Sequence, residues 1–299
     1  LRASALAPPA VTGCSSGTQR NFDRQQLMPN LNIEHVSRII AEVAAEAVLP
    51  RFRQLAQGEI SEKLGPHDLV TVADTECERL LTHRLAGLLP GSLVVGEEAV
   101  SADAAVLRRL DQPGPVWVID PVDGTLNFAT GVPSFAVLVA LVIGGETRMG
   151  WVHDPVHGDM GMAEAGAGTM LDGRRIRLAA PTDLAAMHGC LNLKTGDRAR
   201  ASRMAVAAGG LASVLVMRCA GQEYLALLEG GLHFAVYNKL MPWDHAAGVL
   251  LHAEAGGFAA RLDRRRYRAG DTPAGEPLLL APNAETWALI RREVIGEPD

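Results

Sequence analysis

Residues 117–128 read WVIDPVDGTLNF, and the prediction of both fold and function starts from this stretch. An apolar strand runs into Asp120, and Pro121 has no N–H to continue a sheet ladder. Asp123 follows, and Gly124 allows a sharp turn. Two carboxylates this close repel each other unless a proton or cation lies between them. The stretch therefore predicts a strand that ends at a cation site, of the carboxylate and carbonyl kind that Mg²⁺ prefers. By itself it also fits an Asx turn with a helix cap.

Other short segments also place carboxylates at the end of a predicted element. Residues 96–98 read GEE after a short apolar strand, and residues 243–248 read WDHAAG at the start of a helix. A weaker example, DLVTVAD, covers residues 68–74. Taken singly, the two glutamates fit a solvated loop and Asp244 fits a helix N-cap.

Composition narrows the class of protein. The chain has 299 residues, of which 48% are hydrophobic, 21% charged and 4% aromatic, with a formal net charge of −6. These values exclude wholesale disorder. The net negative charge and the few aromatic residues also argue against a basic or aromatic surface that binds nucleic acid. No apolar run approaches the ~18 residues of a membrane span. The four cysteines form no CxxC pair. We therefore expect a cytoplasmic protein with reduced thiols that binds neither nucleic acid nor membrane.

Hydrophobic periodicity predicts two halves. Residues 28–180 read as an α+β half and residues 181–299 as an α/β half, each with its own sheet. Residues 1–27 precede the first methionine, lack the apolar core of a signal peptide and are predicted to be a disordered leader. In the first half we predict helices over 33–55, interrupted near Pro50, and over 75–89, a loop over 58–68, and strands over 93–95, 116–119, 135–143, 148–152, 160–163 and 168–171. In the second half we predict strands over 189–193, 213–217 and 234–236 and helices over 199–208, 222–228 and 246–255.

Together and in this order, the segments GEE (96–98), DPVDGTLNF (120–128), WDHAAG (243–248) and EAGG (254–257) resemble the inositol monophosphatase family. Its members are Mg²⁺-dependent, lithium-sensitive phosphatases, and the resemblance extends from about residue 33 to residue 257. It implies a layered αβαβα sandwich of the sugar-phosphatase type, two to three Mg²⁺ ions, a small phosphorylated metabolite as substrate and a homodimer.

The same resemblance assigns roles to individual residues. It implies metal ligands from the three acidic segments and from the Thr-x-x-Asp segment, namely Glu97, Asp120, the Val122 carbonyl, Asp123, Asp244 and, for a third and weaker ion, Asp74. Glu97 and Thr125 would hold the attacking water, and Asp74 would join them in catalysis. The phosphate and the metal waters would meet the backbone of Gly124 and Thr125 and the side chain of Lys63.

The substrate side departs from the family pattern. Inositol-specific members carry an acidic residue seven positions before the Trp-Asp aspartate, where this chain has Tyr237. We predict that Tyr237 binds the substrate through a hydrogen bond to one hydroxyl, because a tyrosine cannot accept a bidentate pair of hydroxyls as a carboxylate does. Lys239 would meet a second anionic group or be a surface lysine, and Glu223 and Glu229 are predicted on a helix surface. We therefore predict a substrate other than free myo-inositol phosphate.

Several alternatives share these metal motifs. Within the enzyme class they are fructose-1,6-bisphosphatase, 3′(2′),5′-bisphosphate nucleotidase and histidinol-phosphatase. A regulatory binding protein on the same fold is an alternative from a different class. The motifs themselves do not separate these functions.

Overall fold

Two large β-sheets and the helices that cover them make up the folded chain. The computed structural model describes residues 31–56, 58–65, 68–179, 181, 183–192, 197–271 and 274–297. The elements below belong to one unit that begins at Ile33, and of the separate unit Leu1–Asn32 only the last two residues are described. The leader predicted over residues 1–27 therefore lies outside the described residues.

Two amphipathic helices form the first layer. Helix α1 (Ile33–Val43) continues as a π turn (Ala44–Val48) and a 3₁₀ turn (Leu49–Arg51), which confirms the predicted interruption near Pro50. Helix α2 (Val72–Leu88) begins earlier than predicted because Thr71 and Asp74 form a capping box at its start. α1 packs on the large seven-stranded sheet, and α2 packs on the strand of that sheet that covers Pro115–Asp123.

A short hairpin, β1 (Ile60–Gly65) and β2 (Asp68–Thr71), leads directly into α2. The predicted loop over 58–68 is therefore wrong. With few apolar residues, the hairpin shows no period of two in its sequence. Its importance is positional, because β1 carries Lys63.

A seven-stranded sheet follows, with the order β3-β4-β5-β6-β7-β8-β9. β3 pairs in parallel with β4, and the remaining pairs are antiparallel. β5 is buried along its whole length, as the apolar run predicted, because helices cover both faces. The strands are β3 (Leu93–Gly96), β4 (Pro115–Asp123), β5 (Ala136–Ile143), β6 (Glu146–His153), β7 (Met160–Glu164), β8 (Gly168–Leu171) and β9 (Arg174–Ile176).

The second sheet has five strands in the order β11-β10-β12-β14-β13. β10 pairs in parallel with β11 and β12, whereas β14 runs antiparallel to both of its neighbours. The last two strands and the final helix of this half were not predicted. The strands are β10 (His188–Leu191), β11 (Ser213–Leu215), β12 (Phe234–Tyr237), β13 (Phe258–Arg261) and β14 (Leu278–Ala281).

Two of the helices that follow α2 fill the space between the sheets. The short helices α3 (Glu97–Ala102) and α4 (Thr125–Ala129) precede α5 (Arg198–Ala207), α6 (Ala220–Glu229), α7 (Pro242–Glu254) and α8 (Ala284–Ile290). α6 and α7 pack against the seven-stranded sheet, and α6 also packs against the inner face of the five-stranded sheet. α5 and α8 cover the outer face of that second sheet. This is the predicted αβαβα order of layers, and the boundary at residues 180 and 181 stays a prediction.

None of the helices in the described ranges is both long and apolar enough to span a bilayer.

Candidate active site

A cleft of about 920 Å³ lies where β4, α4, α6 and α7 meet. Three acidic segments that are far apart in sequence contribute to it, through Glu97, Asp123 and Asp244. Four further residues that the sequence assigned to the site also line it: Gly124, Thr125, Tyr237 and Lys239. Of the remaining assigned residues, Lys63, Asp74 and Val122 are linked to the cleft by the contacts described below. Asp120 lies close enough for the charges of Glu97, Asp123 and Asp244 to raise its pKa.

Glu97 is the first residue of α3, directly after β3. Its position is set by Glu78 on α2, whose carboxylate accepts the N–H groups of Glu98 at 2.8 Å and Ala99 at 2.9 Å. Burial raises the pKa of Glu78 to about 7, although these two amides lower it in part. Sequence reasoning missed Glu78. The available signal was its position on the apolar face of α2, in register with Leu81 and Leu85.

Lys63 on β1 supplies a cation beside Glu97. Its Nζ lies 2.8 Å from Glu97 Oε1 and 2.6 Å from Glu98 Oε1. Burial by itself lowers the pKa of Lys63, but the two carboxylates outweigh it and raise that pKa above its ordinary value. Lys63 is therefore a fixed positive charge that keeps Glu97 in place.

The end of β4 makes the sharp turn predicted for residues 117–128. The register of β4 on β5 shifts between Asp120 and Asp123, around Pro121. Gly124 then adopts a φ of +86°, which L-residues with a side chain rarely tolerate, and α4 begins at the next residue. Asp123 Oδ2 accepts the Gly221 N–H at 2.6 Å and the Cys219 thiol at 3.2 Å, both from the start of α6.

Asp74 and Thr125 are joined across the site. Thr125 Oγ1 lies 3.2 Å from Asp74 Oδ1 and 3.0 Å from the Val122 carbonyl oxygen. The other Asp74 oxygen accepts the N–H of Thr71 at 2.8 Å and its hydroxyl at 2.5 Å. Burial raises the pKa of Asp74 to about 7, against these two donors.

Asp244 lies in the first turn of α7. Met241 is the N-cap and Pro242 the first helical residue, so the alternative that Asp244 caps the helix is wrong. The helix N-terminus favours a negative charge there. Burial raises the pKa of Asp244 well above its ordinary range, and the charges of Asp123 and Glu97 raise it further.

These acids repel one another. Burial, followed by the charges of Glu97, Asp123 and Asp244, raises the pKa of Asp120 well above its ordinary range. Within the described part of the chain, Asp120 Oδ1 is buried and has no hydrogen-bond partner. An enclosed, unpartnered carboxylate oxygen among other carboxylates fits a hard divalent cation better than any neighbouring side chain.

The opposite wall of the cleft carries Tyr237 and Lys239. The Tyr237 side chain is buried, and Lys239 is exposed. The Lys239 carbonyl lies 3.0 Å from His245 Nε2, and His245 Nδ1 lies 3.0 Å from the Tyr224 hydroxyl. Since the carbonyl can only accept, Nε2 carries the proton, and burial lowers the pKa of His245 to about 4. A neutral His245 thus fixes the loop that presents Lys239.

Glu223 is placed differently from the sequence prediction. It is only 5% exposed and lines the cleft, so the prediction of a helix-surface residue is wrong. Glu229, the other residue of that prediction, is exposed, which confirms it. No sequence motif marked Glu223.

A five-layered αβαβα sandwich with an acidic cleft beside its central helices is the architecture of the metal-dependent sugar and inositol phosphatases. The inositol monophosphatase family model matches residues 31–293, and the chain belongs to this family. The inositol-1-monophosphatase of Mycobacterium leprae is 35% identical over 232 residues, which is 75% of this chain and 78% of the relative.

Two further proteins show the spread of the family. A Thermotoga maritima protein described as fructose-1,6-bisphosphatase/inositol-1-monophosphatase is 28% identical over 210 residues, 70% of this chain and 78% of that protein. The solved structure of a Thermotoga maritima IMPase has a TM-score of 0.72 and 24% identity, covering 88% of this chain and 94% of the other, and shows the shared fold. By family, this chain is a phosphoric monoester hydrolase that acts on small phosphorylated metabolites.

Proposed function

We propose that this chain is a Mg²⁺-dependent phosphomonoesterase that hydrolyses a small phosphorylated sugar or polyol. The observation that carries the proposal is the convergence of Glu97, Asp123 and Asp244 in one cleft, together with the buried Asp120 carboxylate. The donor set consists of carboxylate and carbonyl oxygens, which suit Mg²⁺ rather than a softer metal.

The proposed metal ligands come from the end of one strand, β4, and from three helices, α2, α3 and α7. Two ions would be held by Glu97, Asp120, the Val122 carbonyl, Asp123 and Asp244, and a third, weaker ion by Asp74. When bound, Mg²⁺ neutralises the phosphate oxygens and the leaving alkoxide and lowers the pKa of the attacking water. Family membership implies a metal cofactor, and the number of ions is part of this proposal.

The chain's own residues hold the water and the phosphate. Glu97 and Thr125 orient the attacking water, with Thr125 fixed by Asp74 and the Val122 carbonyl. Lys63 keeps Glu97 oriented. The Gly124 and Thr125 amides receive the phosphate. Water attacks phosphorus directly, the P–O bond to the alcohol breaks, and the products are the free alcohol and inorganic phosphate, without a covalent phosphoenzyme.

The proposed substrate differs from free myo-inositol phosphate. Tyr237 stands at the position of the acidic residue, and the exposed Lys239 ammonium is suited to a second anionic group. Fructose 1,6-bisphosphate, a 3′(2′),5′-bisphosphate nucleotide and histidinol phosphate are the competing substrates. The Thermotoga maritima relative, named for two activities, supports a sugar bisphosphate among them.

The assembly and location of the enzyme complete the proposal. We place it in the cytoplasm as a lithium-sensitive homodimer. Within the described ranges Cys77, Cys190 and Cys219 are free thiols, which supports a reducing compartment.

The test is a phosphate-release screen with and without Mg²⁺ over inositol 1-phosphate, fructose 1,6-bisphosphate, a bisphosphate nucleotide and histidinol phosphate. Asp123→Asn keeps an acceptor for the Gly221 amide but removes the charge, and Asp111→Asn, at an exposed carboxylate, is the matched control. We expect Mg²⁺-dependent release that Asp123→Asn abolishes and the control retains. If Asp123→Asn instead retains the protein's full cellular function, the regulatory alternative is favoured.

A further inference from the structure

Glu223 brings an additional buried carboxylate into the cleft. Of the acidic residues that line it, Glu97, Asp123 and Asp244 belong to the proposed metal site, and Glu223 does not. It lies in the first turn of α6, two residues after Gly221, whose amide binds Asp123. The same helical turn thus fixes Glu223 relative to the reacting end of the cleft.

The backbone holds this carboxylate in place. Glu223 Oε1 accepts the Met217 N–H at 3.0 Å. Burial raises the pKa of Glu223, and the neighbouring Cys190 thiol, the Met217 amide and the Tyr237 hydroxyl lower it in part. Burying a carboxylate is costly unless its oxygens are used. The Arg218 amide also lies near the carboxylate, and a carboxylate offers about four acceptor sites, so the Met217 bond does not use up its capacity for a further donor.

Tyr237 lies beside Glu223 in the wall of the cleft. Among the described residues the Tyr237 hydroxyl is enclosed and has no partner with hydrogen-bond geometry, although it lies beside Glu223. Its ring and the Cys190 thiol line the cleft next to Glu223. At the β12 position where inositol-specific members carry an acidic residue, this chain has the phenol of Tyr237. The carboxylate in the same wall of the cleft belongs instead to Glu223 on α6.

We propose that Glu223 is a specificity-determining residue, which accepts a hydrogen bond from a hydroxyl or ammonium group on the alcohol part of the substrate. The inference rests on the proposed phosphatase function and deepens it. It selects phosphate esters whose alcohol carries a hydrogen-bond donor, and it disfavours esters without one, because the buried carboxylate would then lose water without gaining a partner.

A structural role makes a different prediction. If Glu223 only held the Met217 amide, its replacement would change the hydrolysis of every substrate alike. If it binds the substrate, the change is confined to KM and to substrates with a donor. Glu223→Gln is suited to this question because its amide oxygen still accepts the Met217 N–H while the charge is lost. Glu229→Gln, at the exposed end of the same helix, is the matched control.

The experiment compares kcat and KM of wild type, Glu223→Gln and Glu229→Gln on fructose 1,6-bisphosphate, histidinol phosphate and p-nitrophenyl phosphate. The last has no donor, and its turnover by Glu223→Gln also reports a folded active site. We expect KM to rise at least tenfold on the donor-bearing substrate that wild type hydrolyses best, with kcat little changed, and p-nitrophenyl phosphate turnover to stay within twofold. An effect on histidinol phosphate alone assigns an ammonium donor, and one on the sugar phosphate alone assigns a hydroxyl.

Equal loss on all three substrates, or no change on any, overturns the role of Glu223 and leaves the phosphatase function standing. Absence of phosphate release by the wild type from every substrate overturns the proposed function and this inference with it.

Discussion

The Gly221 backbone amide donates a hydrogen bond to Asp123 Oδ2 at 2.6 Å, which joins the start of α6 to the end of β4. A Cβ at residue 221 would lie 2.5 Å from Ala136 Cβ and 2.8 Å from Leu138 Cδ1. The helix therefore reaches Asp123 only because residue 221 has no side chain. Two parts of the chain that are 98 residues apart meet at this bond, which holds one of the proposed metal ligands.

Gly221→Ala is expected to push α6 away from β5 and from Asp123. Overpacking of this kind costs about 1–3 kcal/mol of folding free energy, and Asp123 loses its amide donor. We expect a lower urea midpoint and weaker Mg²⁺ binding, measured as the shift in thermal unfolding temperature with Mg²⁺ concentration. Gly210→Ala is the control, because a Cβ there meets no atom within 4 Å. Similar losses in the two variants would contradict this account.

Asp120→Asn is expected to stabilise the metal-free protein while abolishing its response to Mg²⁺. The substitution removes a buried charge that Glu97, Asp123 and Asp244 repel, and active-site acids often lower stability in this way. In wild type, Mg²⁺ at about 100 times its dissociation constant would add about 2.7 kcal/mol. Thermal unfolding with EDTA and with Mg²⁺ measures both effects. A variant that is less stable than wild type in EDTA would count against the repulsion argument.

Local motifs explain why much of the site could be predicted. Asp120, Asp123 and Gly124 are neighbours in sequence, and their chemistry is decided by a strand end and a turn. The layered fold followed from the resemblance carried by these motifs, and the buried strand β5 followed from its own apolar run.

Residues that act across the fold could not be predicted in this way. Glu78 positions Glu97 through the amides of α3, and Glu223 reaches the cleft from α6. In sequence both are single glutamates on amphipathic helices, where a solvent-facing position is the usual one. The helical period places Glu78 on the buried face of α2, but which groups these two carboxylates contact depends on how α2 and α6 pack against their neighbours, which the sequence of one helix does not encode. The hairpin that carries Lys63 was missed because its pairing, rather than its composition, defines it.

The metal-free protein is expected to lose stability as pH rises from about 5 to about 8. The pKa of Asp74 is about 7 in the folded state against an ordinary 3.8, so between these values the folded state binds more protons than the unfolded state. The contribution of Asp74 to the free energy of unfolding is complete below its ordinary pKa of 3.8 and is lost as pH rises through its folded-state pKa of about 7. Glu78, with a pKa of about 7, acts in the same direction.

Mg²⁺ should reverse this dependence, because a bound cation keeps its ligands ionised and competes with protons. Urea unfolding over this pH range, in EDTA and in Mg²⁺, measures the two slopes. Asp74→Asn should flatten the slope in EDTA. A free energy of unfolding that rises with pH in EDTA over this window would show that the buried acids do not set the dependence.

Glu78→Gln is expected to reduce kcat although residue 78 touches neither substrate nor the proposed metal ions. Its two carboxylate oxygens accept the amides of Glu98 and Ala99, and a glutamine offers only one oxygen for the two donors. One partly buried amide is left unsatisfied at a cost of up to about 1–3 kcal/mol, and α3 shifts Glu97 away from the attacking water. Glu76→Gln, on the same helix but paired at the surface with Arg79, is the control. Steady-state kinetics should show kcat reduced and KM nearly constant for Glu78→Gln, and both constants unchanged for Glu76→Gln. If kcat remained at the wild-type value in a folded Glu78→Gln variant, the first turn of α3 would not depend on Glu78 for the placement of Glu97.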